Sequence, residues 1–430
     1  PAFFPGAVLG RNGAVPPSEQ ITMAAIGLGF AWETGVHNRE TRMLAVCDVQ
    51  RQRRDGAKQY VDGRYGNSDC RVYGDFREVI ARDDIDAVYI ATPDHWHALV
   101  TIAAARAGKD IYCQKPLTHT VAEGRAVVEA VRRYGVVFQH GTQQRSEWAF
   151  DAARRLVRGG YLGRLHTIRL GMATGRQCPP QPIQPVPDGF DYDMWLGPAP
   201  RVPFTTLRCL GGHTWYFISD YCVGYFSGWG VHHLDSAQHG HGTDDTGPTV
   251  VRAKAVFPHD GLYDTALHFR ADYQFADGVT VVCTDIFNDA WSNKTNIPLE
   301  QIKEIQGDAF GRVPFGVKFE GTEGSVFVWR GAQLQTTPGD LRRIVEDGEP
   351  RVGIENTTAT HFQNWVDCIR TRGETNAPVE TAHRSTTLAN IGTIGMRLGR
   401  ELRWDPDHEV FDDDEANRLL SRPMRAPWRI

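Results

Sequence analysis

The most chemically loaded stretch of this 430-residue chain runs from Trp215 to Asp245. It carries Trp215, Tyr216, Asp220, Tyr221, Trp229, His232, His233, Asp235, His239, His241, Asp244 and Asp245. Histidines and carboxylates move protons. Aromatic rings with polar neighbours suit a carbohydrate, whose faces are apolar and whose edges are hydroxyls. Two other readings compete. His232, Asp235 and His239 share one helix face and could hold a divalent metal. They could equally be hydrogen-bonded histidines of a packed core. The carbohydrate reading is preferred, and no metal is expected.

A second constellation lies near the N-terminus. An apolar strand, Met23–Ile26, runs into Gly27-Leu28-Gly29-Phe30, and a second strand, Met43–Val46, ends at Asp48. Two glycines allow a tight turn and close backbone approach to a pyrophosphate. An acidic residue about 20 positions on accepts hydrogen bonds from a ribose. Trp32 occupies the place of the third glycine, so the intervening helix must be short. Asp48 favours NAD over NADP, because its carboxylate repels a 2′-phosphate. Arg51, Arg53 and Arg54 follow and could compensate.

These residues need a scaffold, and the pattern supplies one. Ile85–Ala91 reads as a buried strand ending in Thr92-Pro93-Asp94-His95-Trp96-His97, with a helix from about His97 to Ala107. Asp110–Cys113 is the next strand and leads into Gln114-Lys115-Pro116. Thr120 to Glu123 is a capping box opening a helix that stops at Gly135, and Val136–His140 is another strand. Strands alternating with helices imply a parallel sheet, with ligands beyond the strand C-terminal ends. From about Ser146 the pattern changes. A helix to Gly159 precedes a strand at Leu165–Gly171. Leu267–Phe275 with Val279–Ile286, and Gly316–Phe319 with Ser325–Trp329, read as two hairpins. Phe362, Trp365, Val366 and Ile369 fall on one helical face, and a last helix covers about Thr381–Leu398.

The motifs in this order resemble the glucose–fructose oxidoreductase / inositol dehydrogenase / rhizopine-catabolism (Gfo/Idh/MocA) oxidoreductase family. The matching pieces are Ala25-Ile26-Gly27-Leu28-Gly29, Ala45-Val46-Cys47-Asp48, Ala91-Thr92-Pro93 with His97, Cys113-Gln114-Lys115-Pro116, Gly141-Thr142-Gln143-Gln144-Arg145, Trp195-Leu196-Gly197-Pro198, Gly230-Val231-His232-His233-Leu234-Asp235 and Gly321-Thr322-Glu323-Gly324. The resemblance implies an α/β fold: an N-terminal Rossmann domain and a C-terminal α+β domain with an open, mostly antiparallel sheet. It divides the chain into an arm (1–20), the dinucleotide domain (21–143), a substrate and oligomerisation sheet (144–360) and C-terminal helices packing on both (361–430). It implies NAD held by Gly27, Gly29, Phe30, Asp48, Thr92, Pro93, His97, Gln114, Lys115, Gln143 and Trp195. Lys115 and His232 would carry catalysis on a sugar, glycoside or polyol gripped by Arg145, Trp215, Asp220 and Asp235.

Two departures stand out. Gln114 replaces the family's Glu, and Gly228 stands where the family often has an Asp, four residues before His232. His233, Tyr216 and Asp220 are candidate replacements for that acid. Besides an NAD-dependent dehydrogenase, two alternatives follow. One is a redox-neutral glycosidase that oxidises, eliminates, hydrates and re-reduces. The other is an inactive NAD- or sugar-binding protein.

Composition narrows the rest. A formal charge of −5 gives no nucleic-acid footprint, and no apolar run approaches the ~20 residues that span a bilayer. The 8 cysteines form no CxxC pair and read as buried free thiols. The chain begins Pro1-Ala2-Phe3-Phe4, consistent with a removed export signal, so a periplasmic or exported enzyme with tightly held NAD is expected, a cytoplasmic one being the alternative. The expected assembly is a homodimer or homotetramer, one sheet face meeting a partner.

Overall fold

A computed structural model of the chain describes residues 15–286, 295–346 and 354–430. The first fourteen residues of the expected arm lie outside the described residues. The first sheet contains β1 (Ile21–Ile26), β2 (Thr41–Cys47), β3 (Arg71–Tyr73), β4 (Ala87–Ile90), β5 (Asp110–Cys113) and β6 (Phe138–His140). Their order is β3-β2-β1-β4-β5-β6, and every pairing is parallel. Helices cover both faces, so β4 and β5 are buried at every position. The strand order reverses between β1 and β4, which opens a crevice at their C-terminal ends.

Local sequence explains how each element reaches that crevice. The Thr120 hydroxyl accepts from the Glu123 backbone, but the Glu123 carboxylate reaches the amide of His119 rather than that of Thr120. The helix expected from His97 begins at Asp94, immediately after Pro93, and runs to Arg106. Pro93 fixes the entry dihedral, and a carboxylate in the first turn complements the helix dipole. The glycine turn feeds a single helical turn, Thr34–His37, entered through Ala31 at φ 62°. Close helix–strand packing, the usual task of the third glycine, falls to Gly35 instead. A Cβ there would stand 2.7 Å from the Met23 sulfur.

The second sheet is open and mixed. It contains β7 (Leu165–Met172), β8 (Val250–Val256), β9 (His268–Gln274), β10 (Thr280–Asp285), β11 (Gly316–Gly321), β12 (Ser325–Trp329), β13 (Gln333–Thr337), β14 (Leu402–Asp405) and β15 (Val410–Phe411). The order is β13-β12-β11-β7-β10-β9-β8-β14-β15, with β7–β10 its parallel pair. Both expected hairpins form, as β9–β10 and β11–β12. One face buries Ile168, Leu170, Phe269, Tyr273, Val281 and Phe319 against the helices Trp148–Arg158, Val231–His241 and Val379–Leu398. The other face carries ion pairs such as Arg169–Glu320 (2.8 Å) and Arg270–Asp272 (2.9 Å).

Two C-terminal helices tie the sheets together. Ile354–Thr371 inserts Phe362 and Trp365 into the core beneath the first sheet. Val379–Leu398 places Val379 and Ala382 in the first domain's core and Leu388, Ile391 and Ile394 in the second's. All eight cysteines are free and buried. Among the described residues, no helix is long and apolar enough to cross a membrane.

Candidate functional site

A cleft of about 990 Å³ opens at the C-terminal ends of β1 and β4 and runs toward the second sheet. Gly27, Gly29, Phe30 and Asp48 line one end; Thr92, Pro93, Gln114, Lys115, Gln143 and Trp195 follow; Trp215, Tyr216, Trp229 and His232 close the other.

The first end has the features of a dinucleotide cradle. Gly27 sits at φ 76°, and a Cβ there would meet the Thr92 amide at 2.5 Å. A Cβ on Gly29 would lie 2.5 Å from the Ala91 carbonyl. Asp48 is fixed by the Leu28 amide (3.1 Å) and the Gln50 amide (2.9 Å). The buried Thr92 hydroxyl has no partner among the described residues. Gln114 and Gln143 are held by Tyr89 (2.6 Å) and Tyr112 (3.2 Å), which stack on each other 4.6 Å apart. These groups fit a nicotinamide dinucleotide: glycine backbone toward the pyrophosphate, Asp48 toward the ribose. Alanine at Gly27 is expected to weaken NADH binding about tenfold or more, roughly 1.4 kcal/mol, in a calorimetric titration. Unchanged affinity would remove the turn from the cofactor site.

Arg53 also lines this end, whereas Arg54 is spent on the Asp48 carbonyl (2.6 Å) and Arg51 packs along Gly189. One of the three arginines therefore faces the ribose region.

At the far end Lys115, two residues beyond β5, is half-buried. Its ammonium donates to the Tyr216 hydroxyl (3.2 Å) and to the carbonyl of Gly228. Burial pushes its pKa down, and the Asp94 carboxyl pulls it partly back. A Cβ on Gly228 would stand 2.8 Å from the Tyr216 ring and 2.9 Å from the Cys222 sulfur. The missing Asp is thus a filled space: the Tyr216 ring occupies it, and the tyrosine hydroxyl meets the lysine. Burial, then Asp94, push the Tyr216 pKa far up, so its hydroxyl stays protonated. His232 is buried, its Nδ1 unpartnered among the described residues, and burial followed by the charges of Arg330 and Lys115 keeps it neutral. Trp215 packs edge-on against Tyr216 at 4.4 Å, and Trp229 lies nearly parallel to Tyr225 at 5.8 Å.

Other predicted site residues lie elsewhere. His97 does not line the cleft; it is buried within the early-starting helix, with Nδ1 2.6 Å from the Pro116 carbonyl and Nε2 2.9 Å from that of Thr92. It braces the two strand-end loops from behind. His233 does not line the cleft; it packs on Trp229 and bonds the Gly171 carbonyl (3.0 Å). Arg145 and Asp235 find each other rather than a ligand. They form a bidentate pair at 2.8 and 2.9 Å, with side chains 3% and 0% exposed. Ser385 donates to the same carboxylate, and Asp244 takes the other side of the guanidinium. This also answers the metal reading: Asp235 is committed, and His239 faces Arg145 at 3.0 Å. Asp220 lies outside the cleft, beside Asp264, Arg208 and Arg422.

The cleft adds residues that sequence reasoning passed over: Asp94, Glu147, Arg176 and Arg330. Asp94 sits four residues past the end of β4, where a ligand is expected, but an acid there also reads as a helix-start residue. Burial lifts its pKa to about 7 against the opposing pull of Cys222 and Lys115. Glu147 accepts from the amides of Gly331 (2.8 Å) and Ala332 (3.3 Å), fixing the turn that presents Arg330.

The fold and cleft define a Rossmann-type dinucleotide-binding protein with a half-buried lysine at the far end of its cleft. The sequence matches two family models. One, the oxidoreductase family with an NAD-binding Rossmann fold, covers residues 21–142. The other, its C-terminal α/β domain, covers 153–298 and 319–430. The chain belongs to the Gfo/Idh/MocA oxidoreductase family. It is 28% identical over 179 residues to the Bacillus subtilis oxidoreductase YrbE (41% of this chain, 48% of that protein). It is 40% identical over 95 residues to levoglucosan dehydrogenase of Pseudarthrobacter phenanthrenivorans (22% of this chain, 24% of that protein). The chain spans less than half the length of these curated relatives. The aldose–aldose oxidoreductase of Caulobacter crescentus, solved with glycerol, superposes with a TM-score of 0.63 at 19% identity over 89% of this chain and 99% of that one.

Proposed function

We propose that this protein is an NAD-dependent oxidoreductase acting on a hydroxyl of a sugar, glycoside or polyol. The observation that carries the reading is Lys115, half-buried at the end of a dinucleotide cleft between Tyr216 and the Gly228 carbonyl, with neutral His232 in the same wall. When bound, the nicotinamide accepts or returns a hydride. The chain does the rest. Trp215, Trp229 and Tyr225 offer apolar walls to a sugar ring. The reacting hydroxyl lies between Lys115 and His232. Uncharged Lys115 takes its proton as the carbon gives up hydride and a carbonyl forms. Tyr216 aims the lysine, and His232 orients the hydroxyl without competing for the proton. Asp48 and the free 2′-hydroxyl it would bind support NAD over NADP, against the single cleft-facing Arg53.

Two measurements test this. Purified protein is denatured and any released nucleotide identified by mass spectrometry. Then NADH absorbance is followed as sugars and polyols are added to protein with NAD. Reduction at 340 nm by at least one of them is the expected result. A protein that binds no nicotinamide nucleotide and reduces none would overturn the reading. Near-stoichiometric released NAD would support a trapped cofactor, exported enzyme and redox-neutral chemistry; an empty protein would favour an exchangeable cofactor.

A further inference from the structure

Arg330 has no role in the reading above. It sits in the turn between β12 and β13, half-buried, with its guanidinium 5.3 Å from the Trp229 ring centre and 6.0 Å from that of Trp329. It lines the same end of the cleft as Lys115 and His232. Among the described residues it makes no hydrogen bond and no ion pair. A partly desolvated guanidinium without a carboxylate is costly to maintain. It has five donors in a fork that matches a carboxylate or phosphate.

The surroundings deepen the imbalance. Arg176 lines the same chamber, 5.2 Å from the centre of the Phe217 ring, also without an acidic partner among the described residues. The acids nearby answer them only in part. Glu147 attracts Arg330 through space, but its carboxylate accepts from the Gly331 and Ala332 amides and forms no ion pair with the guanidinium among the described residues, and burial raises its pKa against that attraction. Asp94 is held toward its neutral form. Asp48 belongs to the other end and is engaged by backbone amides. Oxidised nicotinamide would add positive charge to a chamber already short of anions. A neutral sugar offers only dipoles to such a site. A carboxylate on the sugar would meet the Arg330 fork while its ring lies on Trp229.

We infer that the substrate is an anionic carbohydrate, a sugar acid whose carboxylate is paired by Arg330 while a hydroxyl of the same molecule faces Lys115 and His232. This rests on the carbohydrate reading above and narrows it. Arg330 then acts as a specificity residue, with Glu147 positioning the turn that carries it and Arg176 as a second, more exposed cation at the entrance.

The test uses the full chain loaded with NAD and matched probes: glucuronate against glucose, galacturonate against galactose, gluconate against glucitol, and tartrate as a non-sugar hydroxy acid. Binding is followed by the fluorescence of tryptophan and by saturation-transfer NMR. The expected result is that the acid of at least one pair binds ten times or more tighter than its neutral partner. Arg330→Gln should bring that ratio close to one, and Arg330→Lys should restore part of it. Thermal melts of both variants check that the chain is folded. Neutral sugars binding as well as their acids would overturn the inference and leave the carbohydrate reading standing. A preference for the acid that survives in Arg330→Gln would also overturn it. Tartrate binding through Arg330 with no sugar bound would sink the carbohydrate reading and retain the anion site. Binding of no probe at all would overturn both.

Discussion

Lys115→Ala is expected to lower kcat by about 10²- to 10⁴-fold on whichever sugar proves active, while NADH still binds. The lysine's hydrogen bonds go to Tyr216 and the Gly228 carbonyl, and the buried acid that feels its charge, Asp94, is already pushed toward its neutral form by burial. Lys115→Arg should be no better, because a guanidinium does not give up its proton near neutral pH. The pH profile carries a second, independent sign. The base is the uncharged amine, and its pKa is lowered by burial. Activity should therefore rise with pH through an inflection below the ordinary lysine range, and fall as protonation returns on the acid side. Asp94 works against burial by favouring the charged lysine. In Asp94→Asn the same inflection should move to lower pH. Wild-type turnover in Lys115→Ala, or an inflection in Asp94→Asn that moves upward, would refute the assignment.

The second large effect is on stability. Asp235→Ala should destabilise the protein by about 3 kcal/mol in denaturant unfolding, the lower end for breaking a buried pair because Asp244 still faces Arg145. The guanidinium is almost wholly enclosed and would lose both bonds to Asp235. A substrate-binding Asp235 would behave oppositely: stability would hold and KM would rise. That outcome would reinstate the role expected from the sequence.

The contrast between Asp48 and Asp235 shows what the sequence could reveal. Asp48 follows a strand at a fixed distance from a glycine turn, and both are local features of one βαβ unit. The parallel sheet, the hairpins and the glycine cradle were legible for the same reason: periodicity, caps and turn residues act over a few positions. Arg145 and Asp235 are 90 residues apart, and their pairing exists only once the chain has folded. A polar residue in a chemically rich stretch reads as functional until its partner is known. His232 and His233 are adjacent, yet the helix turns one to the cleft and the other to the Gly171 carbonyl. Arg330 was invisible for the converse reason. Nothing in a hairpin turn signals that it ends beside Trp229.

Gly228 is the instructive intermediate case. From sequence it is a catalytic acid gone missing. In the fold it is a site with no room, because Tyr216 and Cys222 fill the volume an acid would need. The substitution and the tyrosine form one unit: Tyr216 lines the cleft beside Lys115, whereas Asp220 lies outside it.

The helix Val379–Leu398 is a single rigid rod with one end in each core. Such a rod removes the cheapest form of motion available to a two-domain protein, the opening of a hinge. Unfolding either core strips apolar cover from the helix that the other also needs, so the two lose independence and melt as one cooperative unit. Entry of a ligand must then come from rearrangement of loops at the rim. The width of the cleft becomes a ruler built into the scaffold, set before any ligand arrives.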